Sequence, residues 1–305
     1  MKEDNELDLS PFDKIPDVDT FRKGLDELRK LDLSKASRKE IEATFFKYAF
    51  LKPIYIMMVP PDEFNANTFY RVRTKIDTKR ENVYLNGTFN YPPSFVCGSN
   101  GRANLAHRPV FYCSDYAIAA ILEIKPKVGD VLCVSSWKPK VDREVQFAIF
   151  LPEDLKPSNK YRTDAEGLHK KLRGETPSFK KDKEEQLNML NEFVCLQFVV
   201  EKPPYPITSW LSDELLYAHM KNDLVLYPSV VTDSRFCNLA IHPNFVDRYL
   251  TLEKVAQIII TELSDVISYS VGLMGIPDRM NIRWDKPTEE QIQVFRNTID
   301  EGIQK

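Results

Sequence analysis

Apolar residues recur every three or four positions at both ends of the chain, which is the spacing of an amphipathic helix. Residues 18–48 show this pattern twice, with Ser34 and Ser37 as cap signals between the two segments. The same spacing returns from Thr288 to Ile303, directly after Pro287. We therefore predict two N-terminal helices and one C-terminal helix that pack on a central domain.

Between these helices, the pattern changes to short runs of β-branched and aromatic residues separated by turns. Helices are predicted at 116–124 and 209–221, and a helix, or a helix followed by a strand, at 186–200. Strands and helices do not alternate in a regular series, so we expect an α+β fold with a mixed sheet. Strands are predicted near 69–73, 110–112, 131–137, 144–151, 224–227 and 238–241, and two longer apolar stretches at 250–260 and 266–273 complete the sheet.

One internal segment, Pro152 to Lys183, is dense in charged residues, serine and proline and poor in aliphatic residues. This composition predicts an exposed and mobile insertion. The chain is then expected to divide into an N-terminal helical extension (1–60), a central domain (61–275) that contains the insertion at about 152–183, and a C-terminal helix (276–305).

Composition narrows the class of protein. The 305 residues are 43% hydrophobic and 29% charged, which is typical of a globular protein with a core. A net charge of -3 argues against a nucleic-acid partner, and no apolar run approaches the ~20 residues of a membrane span. The acidic segment Met1 to Leu9 does not resemble a secretory signal. Five cysteines fit reduced thiols in the cytoplasm, and four scattered histidines without a Cys-x-x-Cys argue against a zinc site.

Two arginines are candidates for binding an anion. Arg71 follows Tyr70 in a strand that is expected to be half-buried, where an unpaired cation is costly. It either binds a ligand, pairs with a core carboxylate, or lies on the solvent face. Arg102 lies in a Gly-Arg-Ala-Asn loop, where glycine allows close approach of the backbone and Asn104 adds an amide. Gly-Arg turns are also common on protein surfaces.

Glu123 and Ser229 are the candidates for chemistry. Glu123 ends a very apolar predicted helix, where its charge is unfavourable with respect to the helix dipole. It is either a functional carboxylate or a solvated helix end paired with Lys125. Ser229 follows a strand and Pro228, and its hydroxyl either caps a turn or orients a ligand. The absence of a Gly-x-Ser-x-Gly motif argues against a serine-hydrolase nucleophile.

The order of these residues resembles the RES domain family, which is named for its arginine, glutamate and serine. The resemblance covers about residues 68–241. The family includes the toxins of bacterial toxin–antitoxin pairs, which resemble ADP-ribosyltransferases in fold and consume NAD⁺. The matching positions are Tyr70-Arg71, Gly101-Arg102-Ala103-Asn104, Tyr112 followed by Glu123, Ser229, and Asn238 at the start of Asn-Leu-Ala-Ile.

This resemblance implies an ADP-ribosyltransferase-like sheet and NAD⁺ as substrate, without a metal. Cleavage of the nicotinamide–ribose bond would then depend on Glu123 as the stabilising charge, with Arg71 and Ser229 as further catalytic residues. The implied binding residues are Tyr70, Arg102, Asn104, Tyr112 and Asn238, with the two arginines at the pyrophosphate and the two tyrosines stacking on a ring.

The resemblance leaves several alternatives open. ADP-ribose could pass to a protein or to phosphate instead of water, or the site could bind a dinucleotide without cleaving it. An antitoxin-like protein and a second copy of the chain are both candidate protein partners. The terminal helices, the charged segment and Ala103, where the family more often has an aromatic residue, depart from compact RES toxins. Toxicity therefore does not follow from the resemblance.

Overall fold

One ten-stranded sheet organises the described part of the chain, which in this computed structural model is residues 13–51, 55–171, 183–218, 222–264 and 267–303. The predicted acidic segment 1–9 and residues 172–182 of the charged segment lie outside it. The strands are β1 Ile56–Val59, β2 Phe69–Thr74, β3 Phe111–Ser114, β4 Val131–Pro139, β5 Val145–Ile149, β6 Leu224–Pro228, β7 Cys237–Ile241, β8 Leu250–Leu263, β9 Ile267–Asp278 and β10 Asn281–Asp285.

The sheet is mixed, with the spatial order β1-β5-β6-β7-β3-β2-β4-β8-β9-β10. β5 and β6 pair in parallel, and the other neighbouring strands are antiparallel. A parallel pair needs a long crossover, and the described residues between β5 and β6 supply it with three helices. The predicted α+β fold with a mixed sheet is confirmed.

The helices that surround this sheet include the three that were predicted at the termini. Side-chain caps determine where the two N-terminal helices begin. Asp17 caps the first helix, and Ser37 forms a capping box with Glu40 in the second. The helices are α1 Val18–Lys30, α2 Arg38–Ala49, α3 Pro61–Asn65, α4 Ala117–Glu123, α5 Arg162–Lys170, α6 Glu184–Val200, α7 Pro206–Leu216, α8 Pro243–Tyr249 and α9 Glu289–Ile303.

Alternating side chains divide the core into layers on the two faces of the sheet. One face packs a single large cluster that contains Phe111 and Leu226. The opposite face carries two clusters side by side. The first packs β5, β6 and β7 against α1, α2, α6 and α7, and includes Tyr227. The second packs β2, β4 and β8 against α4 and α9, and includes Val72. Two helical layers therefore meet on one face of the sheet.

The charged segment is the main error of the sequence-based prediction. Among its described residues, Leu155 and Tyr161 belong to the large core cluster, and Ala165 on α5 is fully buried. His169 is also buried and contacts the carbonyl oxygen of Leu151 at 2.9 Å. The prediction of an exposed insertion is wrong here, because a few apolar residues at helical spacing suffice to bury one side of a highly charged helix.

Other elements were missed or shifted. Residues 186–200 lie in one continuous helix, α6, and the helix predicted at 209–221 begins three residues earlier, at Pro206. β1 and β10, the two edge strands, were not predicted, nor were α3, α5 and α8. Since β1 belongs to the sheet, residues 1–60 contribute more than helices. No helix among the described residues has the length and apolarity needed to cross a bilayer.

Candidate functional site

A cavity of about 520 Å³ opens where β2 meets β3. The hydrogen-bonded ladder between these strands is a single residue pair, Tyr70 with Ser114. The Arg71 side chain bridges the strands next to this pair, and its Nη1 donates to the carbonyl oxygen of Tyr112 at 3.1 Å. Such a short ladder leaves space between central strands of the sheet. The cavity has the size of an ordinary small-molecule site.

Glu123 is fixed in the wall of this cavity by two neutral donors. Its Oε1 accepts hydrogen bonds from Ser229 Oγ at 2.6 Å and from Asn238 Nδ2 at 2.6 Å. No described residue donates a hydrogen bond to its Oε2. The two partners lie more than 100 positions along the chain from Glu123, at the end of β6 and in β7. Three residues of the predicted site therefore form one hydrogen-bonded group.

The short helix α4 places Glu123 at this point. Its residues Ala117 to Ile121 are buried against β2, β3 and α9, which leaves the carboxylate at the last position of the helix. The alternative pairing with Lys125 is absent among the ion pairs of the described residues. Ser229 does not cap a turn with its hydroxyl, since that hydroxyl donates to Glu123. Glu123 and Ser229 therefore contact each other, and within the described residues neither makes the purely structural contact considered from the sequence.

Arg71 has no carboxylate partner among the described residues. Its guanidinium lies over the ring of Phe111, with the central carbon 5.5 Å from the centroid, and its Nε is buried without a hydrogen-bond partner. Burial, and to a smaller extent the nearby Arg73, lowers the pKa of Arg71 to about 10. Arg73 itself pairs with Glu81 at 2.6 Å. Of the two arginines on β2, Arg71 therefore carries an uncompensated charge into the cavity.

Arg102 is held by the backbone and by one aromatic ring instead of a carboxylate. Its Nη1 donates to the carbonyl oxygen of Phe198 at 2.7 Å, and its guanidinium carbon lies 4.7 Å from the ring centroid of Tyr205. No ion pair to Arg102 occurs within the described ranges. The remaining N–H groups of its planar fork suit the oxygens of a phosphate.

The Gly-Arg-Ala-Asn loop is closed by the hydroxyl of Tyr112. That hydroxyl accepts from the backbone N–H of Ala103 at 2.8 Å and donates to Asn104 Oδ1 at 2.8 Å. The backbone of Gly101 pairs with that of Asn104 across the turn. Burial raises the pKa of Tyr112 well above its ordinary value, so its hydroxyl keeps its proton. Tyr112 and Asn104 thus fix the loop that presents Arg102.

The structure brings the predicted site residues together. Ser229 and Asn104 contact the cavity wall through Glu123 and Tyr112, respectively. Sequence reasoning missed Tyr205 and Lys125, which also line the cavity. The remaining predicted residues line it directly, namely Tyr70, Arg71, Arg102, Tyr112, Glu123 and Asn238. Their individual roles stay predictions.

Comparison with known families agrees with this arrangement. The family model described as RES domain matches residues 68–257, which is more than half of the chain. The chain belongs to the RES domain family. The matched region begins at β2 and ends within β8, so the RES domain contains the whole hydrogen-bonded group around Glu123. Helices α1, α2 and α9 lie outside the matched region. None of the curated proteins matches the chain significantly.

Proposed function

We infer that this RES domain protein binds NAD⁺ and cleaves its nicotinamide–ribose bond. The observation that carries the inference is the charge arrangement of the cavity. Two arginines without carboxylate partners among the described residues line the same space as one carboxylate that neutral donors hold. Unpaired arginines favour an anionic ligand, since a buried cation without a partner is costly. The carboxylate favours a ligand that develops positive charge.

NAD⁺ carries both features in one molecule. Its diphosphate offers planar groups of oxygens to Arg71 and Arg102, and its nicotinamide leaves the ribose as a neutral molecule. When the C1′–N bond breaks, the electron pair goes to the nicotinamide nitrogen and positive charge develops on the ribose. Water then adds at C1′ and releases one proton, which gives nicotinamide, ADP-ribose and H⁺. No general acid is needed for this leaving group.

Glu123 is the residue suited to stabilise the ribosyl cation. Its Oε1 is held by Ser229 and Asn238, so the carboxylate is oriented before substrate arrives. Its Oε2 is left for a ribose hydroxyl. A charge that is fixed in advance stabilises a transition state without the cost of reorganisation. In this proposal Ser229 and Asn238 position the carboxylate, and Tyr112 positions the loop of Arg102.

Release of nicotinamide from NAD⁺ tests the proposal. We expect Glu123→Gln to lower the rate about 100-fold or more, because the amide keeps the size of the side chain but removes its charge. Glu144→Gln is the matched control, since Glu144 is exposed and lies outside the cavity. Its rate should equal that of the wild type. Equal rates for the wild type and Glu123→Gln would exclude the assigned role of Glu123.

The same experiment separates the alternatives. Nicotinamide release without a matching amount of free ADP-ribose would indicate transfer to a protein or to phosphate. If NAD⁺ raises the melting temperature of the protein but is not consumed, the site is a dinucleotide-binding module without catalysis. A melting temperature that NAD⁺ does not change would contradict binding altogether, because a ligand of the folded state must stabilise it.

A further inference from the structure

The cavity has an aromatic wall that lies outside the RES motifs identified from the sequence. The ring of Tyr205, a half-buried residue at the start of α7, lines it beside Arg102. Tyr205 stands between Pro204 and Pro206, on the crossover that connects β5 to β6. No hydrogen bond of its hydroxyl occurs among the described residues. The hydroxyl therefore does not tie the ring to another described residue.

The backbone of Tyr205 is fixed in an unusual conformation. Its φ of 56° is left-handed, which is uncommon for an aromatic residue. Its N–H donates to the carbonyl oxygen of Lys202 at 3.0 Å, and its carbonyl accepts from the N–H of Ser209 at 2.9 Å. Glu201 caps the next two backbone N–H groups of α7. The ring is thus presented to the cavity by a backbone that is held on both sides.

Tyr205 is better placed to stack on a ligand than Tyr112. The hydroxyl of Tyr112 is committed to Ala103 and Asn104, so moving that ring would open the loop that carries Arg102. Tyr205 instead contacts the guanidinium of Arg102 by its ring face, at 4.7 Å. An aromatic ring beside an arginine that faces phosphates is a combination suited to a nucleotide.

The two ends of the cavity belong to different helical layers. Glu123 ends α4, which packs with α9 in one cluster. Arg102 and Tyr205 contact α6 and α7, which belong to the other cluster. A dinucleotide whose reacting ribose lies beside Glu123 would reach toward Tyr205 with its other end.

We propose that Tyr205 is the stacking platform for the adenine ring of the bound dinucleotide, with Arg102 holding the adjacent phosphates. The identity of the dinucleotide rests on the proposed function, whereas the adenine platform is testable without any cleavage. Stacking of a base on an aromatic side chain tolerates loss of the phenol hydroxyl but not loss of the ring. This requirement distinguishes a platform from a residue that only supports Arg102.

Calorimetric binding of ADP and of pyrophosphate to the full chain tests the platform. We expect Tyr205→Asn to weaken ADP binding about ten-fold, within the range for loss of one base stack, and to leave pyrophosphate binding unchanged. Asparagine is chosen because it tolerates left-handed backbone better than other residues that lack a ring. Tyr205→Phe should retain wild-type affinity for ADP, and Arg102→Gln should weaken both ligands.

Each outcome bears on one claim. An equal loss of ADP and pyrophosphate binding in Tyr205→Asn would overturn the proposal, since Tyr205 would then act only through Arg102. Unchanged ADP affinity in Tyr205→Asn, or a loss in Tyr205→Phe equal to that in Tyr205→Asn, would overturn it as well. ADP has no nicotinamide to release, so the result does not depend on catalysis. Absence of nicotinamide release from NAD⁺ would remove the proposed function and leave the platform standing.

Discussion

Glu123 differs from Asp223, another partly buried carboxylate, in the kind of partner it has. Asp223 is held by a two-pronged contact with Arg143 at 2.6 and 2.8 Å, which compensates its charge and serves the fold. Glu123 receives hydrogen bonds from a hydroxyl and an amide, which orient the carboxylate without neutralising it. A charge that is held but not neutralised is available to a ligand. The type of partner, more than burial, distinguishes Glu123 from Asp223.

A second single residue, Gly101, gives a prediction about stability and ligand binding. A Cβ at this position would overlap Asn104 Oδ1 and lie 2.7 Å from the hydroxyl oxygen of Tyr112, so the loop needs glycine for close approach. We expect Gly101→Ala to lower the free energy of unfolding by about 1–3 kcal/mol, as overpacking does. Displacement of Arg102 should also weaken ADP binding. Urea unfolding and calorimetry measure the two effects.

Gly98, three residues earlier in the same loop, is the matched control. A Cβ at Gly98 would meet no atom within 4 Å. Gly98→Ala should therefore leave both stability and ADP binding close to those of the wild type. If Gly101→Ala behaved like Gly98→Ala, the hydrogen bonds that Tyr112 makes to the loop would not be what positions Arg102.

At the scale of elements, helix α4 depends on a helix outside the RES domain. α9 packs on α4 through Phe295 and Ile299, and Gly302 lies so close that a Cβ there would overlap the Ile118 side chain. α4 has only seven residues, which is too short to be stable without packing. The C-terminal helix therefore supports the helix that ends in Glu123.

Alanine substitution in two helices tests this support. We expect Gly302→Ala to destabilise the protein by about 1–3 kcal/mol, because α9 must move away from α4. A Cβ at Gly167 in α5 would meet no atom within 4 Å. Gly167→Ala should therefore be neutral, or stabilise the protein by up to ~1 kcal/mol through higher helix propensity. Thermal unfolding should show a lower melting temperature for Gly302→Ala and an equal or higher one for Gly167→Ala. A stabilised Gly302→Ala variant would mean that α9 does not pack tightly on α4.

The helices and strands also show which elements can be predicted from the sequence and which cannot. The strands near the centre of the sheet were predicted because burial on both faces gives uninterrupted apolar runs, as in β6 and β7. β10 was missed because its polar sequence, Asn281–Asp285, suits an edge strand that buries mainly Ile282. α5 was missed because charge dominates its composition, while the residues it buries are few.

The residues that meet at the cavity could be selected from the sequence, although several elements around them could not. Arg71, Glu123 and Ser229 were identified because each is a polar residue in an apolar context, and that contrast survives without knowledge of the fold. Tyr205 gave no such contrast, since tyrosine beside prolines is ordinary in a loop. Its place in the cavity depends on how the crossover packs on the sheet, which local sequence does not encode.

At the scale of the whole molecule, the segment first interpreted as an insertion connects distant parts of the sheet. Lys160 forms an ion pair of 3.0 Å with Asp115, a buried residue just after β3. Asn159 donates to the carbonyl oxygen of Ser234 at 3.0 Å, in the turn that follows Ser229. The crossover thereby restrains the chain just after β3 and the turn between β6 and β7. Its charged residues contribute to the tertiary structure, and one of them, Lys160, compensates a buried carboxylate.

Burial raises the pKa of the Asp115 carboxyl, and Lys160 opposes that rise. In Lys160→Met, the folded state should hold the Asp115 proton more tightly than the unfolded state, so stability should fall as pH rises above the ordinary value of 3.8. We expect the variant to lose about 3 kcal/mol relative to the wild type near pH 8, and less near pH 4. Lys156→Met, which breaks a pair with the exposed Asp233, should leave the stability close to that of the wild type at either pH. Urea unfolding at the two pH values measures this, and an equal loss at both would show that Lys160 does not act through the charge of Asp115.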